Sequence, residues 1–87
     1  MEVEQALGEV LRALRRERGL SQEALALEAG VERNYVSLIE LGKNSPSIRI
    51  LFKLCTTLGI TTSAVLSAVE QRLAETPAKR RQASKER

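Results

Sequence analysis

The chain has 87 residues, enough for one domain and not for two. It is 43% apolar, yet Tyr35 and Phe52 are its only aromatic residues, so any core must be aliphatic. A single cysteine, Cys55, excludes an internal disulfide framework, and the lack of histidine and aspartate excludes a Cys/His zinc site and any Cys–His pair to activate a nucleophile. The net charge of +3 is unevenly placed: residues 1–75 carry nine Arg or Lys against ten Glu, and residues 76–87 carry five against Glu86 alone. An argument for nucleic acid must therefore rest on where charges sit, not on their sum. No apolar run approaches a membrane span and the first residues lack a signal-peptide pattern, which predicts a cytoplasmic protein with no membrane partner.

Residues 3–18 read as the first helix. Leu7, Val10, Leu11 and Leu14 form one apolar stripe. Arg12, Arg15, Arg16 and Arg18 lie largely off it, near the end where cations suit the helix dipole. Gly19 stops the helix. A second pattern opens at Ser21, an N-cap residue, and places Leu25 and Ala29 on one face, with Leu27 off the stripe. Gly30 ends it, since glycine takes the left-handed C-cap without penalty. A third pattern repeats Val36 and Ile39 with Tyr35 alongside, and Gly42 closes it. Two helices this short, joined at a glycine turn, make a helix-turn-helix, and neither holds without docking on the rest of the chain.

The stretch KNSPS at 43–47 is a polar turn, and Ser47 caps a fourth helix at 48–58. Ile48, Ile50, Leu51, Phe52, Leu54, Cys55 and Leu58 spread over more than half its girth, which predicts a helix that is central or covered on two sides. Cys55 on it reads as a small core residue. After Gly59 and Ile60, caps at Thr61 to Ser63 open a fifth helix at about 62–74, with Val65, Leu66, Val69 and Leu73 as its apolar set. Val65, Leu66, Val69 and Leu73 exceed what so small a domain needs for closure. They read either as a two-fold interface between identical chains, or as cover for the first and fourth helices with Leu66 in the core. Residues 76–87 have no apolar period and read as a basic, disordered tail after a domain at 1–75. The fold class is all-α, five helices, with the helix-turn-helix as the second and third.

From Leu11 to Ile60 the chain carries GLSQ, AGV, YVS, IELGK, SPS and LGI in order and without gaps. In these motifs it resembles the Cro and lambda-repressor-like, or XRE-type, helix-turn-helix family. That resemblance implies a DNA-binding domain in which Arg33, Asn34, Ser37 and Leu38 face the bases. Arg grips guanine through two hydrogen bonds and Asn does the same for adenine, while Leu38 reaches at most a thymine methyl group. Glu32 stands beside them as an acceptor for a cytosine amino group, a partner for Arg33, or a brake on non-specific binding. The resemblance also implies phosphate contacts from Gln22, and from Lys43 and Asn44 together with their main-chain N–H groups. Tyr35 reads either as a phosphate contact or as a half-buried staple. Arg15 and Glu40 are implied as a structural ion pair between the first helix and the end of the third.

The function expected from this is a sequence-specific transcriptional regulator, not an enzyme, needing no cofactor and binding duplex DNA as a homodimer on a short inverted repeat. With little chain after residue 75 for a sensor domain, regulation would follow concentration, dimerisation or a partner. The alternative is a protein-interaction module, such as an antitoxin or bridging factor. The protein partners these readings name are a toxin or RNA polymerase.

Overall fold

The computed structural model describes residues 1–75 as five helices in the order α1 (Val3–Glu17), α2 (Gln22–Ala29), α3 (Arg33–Glu40), α4 (Ile48–Leu58) and α5 (Thr62–Ala74). No strand occurs among the described residues, and the basic tail at 76–87 lies outside them. Hydroxyl caps fix three of the starts. Ser21 Oγ accepts from the Ala24 amide at 3.0 Å, Ser47 Oγ from Ile50 at 3.2 Å and Thr61 Oγ1 from Ala64 at 3.1 Å. The break between α2 and α3 is made at Gly30, whose φ of 74° is left-handed, and the next amide, Val31, reaches back to the Ala26 carbonyl at 2.9 Å. This six-to-one closure is the Schellman motif, which turns the chain sharply after α2.

The core is aliphatic, as the scarcity of aromatics predicts. Leu11, Leu25, Ile39, Leu54 and Leu58 are its largest enclosed side chains, one or two from each of the first four helices. Burying such a side chain contributes about 1.5–3 kcal/mol. That matters most for α2 and α3, which have eight residues each and too few internal hydrogen bonds to stand alone. α2 packs on α3 and α4, and α3 packs on α1 and α2. Leu27, off the stripe in sequence, is 82% exposed.

α4 and α5 use their apolar sets differently from expectation. α4 packs on α2 and α5 and so is covered on two sides, but not over its whole apolar girth: it buries Leu51, Leu54, Cys55 and Leu58, while Ile48 and Phe52 stay out, Phe52 at 54% exposure. α5 does not offer Val65 and Val69 to a partner chain. They are 0% and 4% exposed, facing the core, and Leu73 is half-buried against the same core. The physical reason is the close packing of α5 across α1, fastened at its rim by Arg72 Nη1 donating to Glu9 Oε1 at 2.8 Å. That seating turns Leu66 outward.

Candidate nucleic-acid interface

The site begins with the way α3 is held. Val36 and Ile39 are buried, so the helix has one fixed side and one free side. Arg33 and Asn34 are exposed at its N-terminal end, and Ser37 and Leu38 are half-buried further along. Glu32 lies outside the helix. It is the N-cap residue, with extended φ and ψ of −79° and 141° and no side-chain capping bond. Its carboxylate is exposed beside Arg33. Asn34, Tyr35 and Leu38 line an open depression whose far wall is Ile50 of α4. Tyr35 is half-buried, with part of its side chain packed against the core.

The loop after α3 differs from expectation. The main-chain N–H groups of Lys43 and Asn44 both turn back to the Leu38 carbonyl, at 2.9 and 3.3 Å, closing the end of α3. They are thereby spent on the helix end, and the side chains of Lys43 and Asn44 are what this loop offers an anion. Lys43 is exposed and Asn44 half-buried.

Arg15 and Glu40 meet across the α1–α3 contact. Arg15 Nε donates to Glu40 Oε2 at 2.6 Å and Nη2 donates to Oε1 at 3.0 Å, a two-pronged pair with both side chains enclosed. The third arm of the guanidinium, Nη1, donates to the Leu20 carbonyl at 2.7 Å, just ahead of the Ser21 cap. Gln22, expected to be a free phosphate ligand, donates from Nε2 to Glu40 Oε1 at 3.0 Å. Sequence reasoning missed this contact because its partners stand 18 residues apart and neither carries a local signal. Arg18, off the apolar stripe of the first helix, donates from Nε to the Leu58 carbonyl at 2.6 Å and so satisfies the end of α4.

The geometry thus sets an exposed polar helix end, an exposed lysine in the adjoining loop and a braced α2 start on a rigid aliphatic bundle. Known proteins resemble the chain in sequence and in fold. A helix-turn-helix family profile matches residues 11–65. The chain is 42% identical over 65 residues to the control protein C.MunI of a Mycoplasma species, covering 74% of this chain and 88% of that one. The crystal structure of the clp gene regulator ClgR from Corynebacterium glutamicum superposes with a TM-score of 0.85 at 28% identity, over 97% of this chain and 89% of that one. The restriction-modification controller protein C.AhdI from Aeromonas hydrophila superposes with a TM-score of 0.70 at 39% identity, over 71% of this chain and 94% of that one. With its five helices, its ungapped motifs and more than half its length inside the family profile, the chain belongs to the XRE-type helix-turn-helix family of DNA-binding transcriptional regulators.

Proposed function

We propose that the protein is a cytoplasmic, sequence-specific regulator whose α3 enters the major groove of duplex DNA, and that two copies bind one short inverted repeat. The observation that carries this is the pairing of a buried Val36–Ile39 side with an exposed Arg33–Asn34 end on one helix. The N-terminal residues of a recognition helix are those that meet base edges. Arg33 takes guanine, Asn34 takes adenine, Ser37 hydrogen-bonds either base, and Leu38 meets a thymine methyl group. Glu32, outside the helix, accepts from a cytosine amino group or restrains binding to other sequences. Gln22, Lys43, Asn44 and the Tyr35 hydroxyl hold phosphates and set the register without reading sequence.

The homodimer of this proposal uses the apolar side chains that α4 and α5 leave outside: Ile48, Phe52 and Leu66, with the rim of Leu73. Val65 and Val69 serve only the protomer core. A two-fold pair sets its recognition helices about 34 Å apart, one turn of duplex.

Selection of bound duplexes from a random pool tests the proposal. The expected result is an enriched inverted repeat whose half-sites are centred about one helical turn apart. A pool that enriches no motif contradicts it.

A further inference from the structure

The Arg15–Glu40 pair has a third member, and it lies at the DNA-facing start of α2. Glu40 is 8% exposed, and its carboxylate is ringed by Arg15 Nε, Arg15 Nη2 and Gln22 Nε2. A buried ion pair is a poor way to gain stability, because apolar side chains of like volume often do as well or better. What the apolar pair cannot do is orient an amide. A glutamine side chain can turn either its oxygen or its nitrogen toward a neighbour, and a carboxylate, which only accepts, selects the nitrogen. The amide nitrogen carries two hydrogens, so one remains for a second acceptor. A phosphate oxygen is such an acceptor, and a freely turning amide would present it an oxygen part of the time.

We infer that Glu40 is a positioning residue for DNA binding, acting through Gln22. Arg15 holds Glu40 in register and, through the Leu20 carbonyl, holds the chain entering α2. One network thereby fixes α1, the start of α2 and the end of α3 as a single body. The role rests on the proposal that Gln22 meets a phosphate.

A double-mutant cycle on DNA affinity tests it, using a duplex enriched from the random pool. Gln22→Ala weakens binding about tenfold in the native background, the scale of a hydrogen bond to a charged group. In the Arg15→Met/Glu40→Met background, shown folded by its thermal melt, the same change costs less than about threefold, because the amide there is no longer oriented. An equal loss in both backgrounds overturns the positioning role and leaves the Gln22 contact standing. No loss in either overturns the contact itself. A second measurement needs only the native chain. In the DNA complex both side-chain amide protons of Gln22 are protected from solvent exchange, one on Glu40 and one on phosphate. Rapid exchange of either overturns the inference.

Discussion

Gly8 of α1 lies directly against the last turn of α3: a Cβ on it would stand 2.5 Å from the Ile39 carbonyl oxygen and 2.6 Å from that of Glu40. Both neighbours are backbone and cannot swing away. The close approach lets Arg15, two turns further along α1, reach Glu40 with both prongs. Gly8→Ala gains about 1 kcal/mol of helix propensity. It loses more, because the clash pushes α3 off α1. The expected net cost is about 2 kcal/mol, a fall in Tm of roughly 10 °C for a domain this size. A variant that melts at or above the native temperature contradicts this packing.

Breaking one side of the ion pair leaves the other charge buried. Arg15→Met or Glu40→Met alone is expected to cost about 3–5 kcal/mol, and the double change to recover most of it. Urea unfolding of the four proteins measures the cycle. Single changes costing under about 1 kcal/mol would mean that water already reaches the pair.

Much of this was legible in the sequence. The stripes of α1 and α2, the hydroxyl caps at Ser21, Ser47 and Thr61 and the stop at Gly30 are local signals, and each fell where periodicity or capping chemistry put it. The seating of α5 was not legible. Val65, Leu66, Val69 and Leu73 cover an arc wide enough for either flank to face inward, and only the docking of α5 on α1 chose Val65 and Val69. The same holds for α4, where seven apolar residues announced burial that two of them, Ile48 and Phe52, do not receive. At the candidate site, which face of α3 points outward followed from its apolar pair. The turn-back of the Lys43 and Asn44 amides and the anchoring of Gln22 depend on tertiary geometry that no spacing encodes.

Phe52 and Val65 separate the two accounts of α5 and α4. Phe52→Glu changes an exposed residue and is expected to shift thermal stability of the monomer by no more than about 0.5 kcal/mol. In sedimentation it turns the proposed dimer into a monomer. Val65→Ala, by contrast, opens a cavity in the protomer and costs about 2 kcal/mol whatever the assembly state. Native protein that sediments only as a monomer at micromolar concentration contradicts the dimer.

Cys55 gives a pH dependence with a defined sign. Burial pushes its thiol pKa above the ordinary 9.0. The unfolded thiol therefore ionises first as pH rises, and the unfolded state binds fewer protons. The contribution of the thiol to stability is whole below pH 9 and is lost as pH climbs toward the folded value. Urea midpoints at about pH 8 and pH 10 should fall further for the native protein than for Cys55→Val. Equal falls would show that the thiol is open to solvent. Thiol reagents should likewise modify the folded protein far more slowly than the unfolded chain.

The most direct measurement compares Kd values for the enriched duplex and its single-base variants, with native protein, Arg33→Ala and Lys43→Ala. If the outward end of α3 reads bases, the native protein rejects a change at the guanine under Arg33 by about 10- to 100-fold, and Arg33→Ala loses that rejection at this one position. Lys43→Ala weakens all duplexes alike and lowers the salt slope by about one unit. Arg33→Ala that weakens every duplex equally, with discrimination intact at each position, would contradict the account.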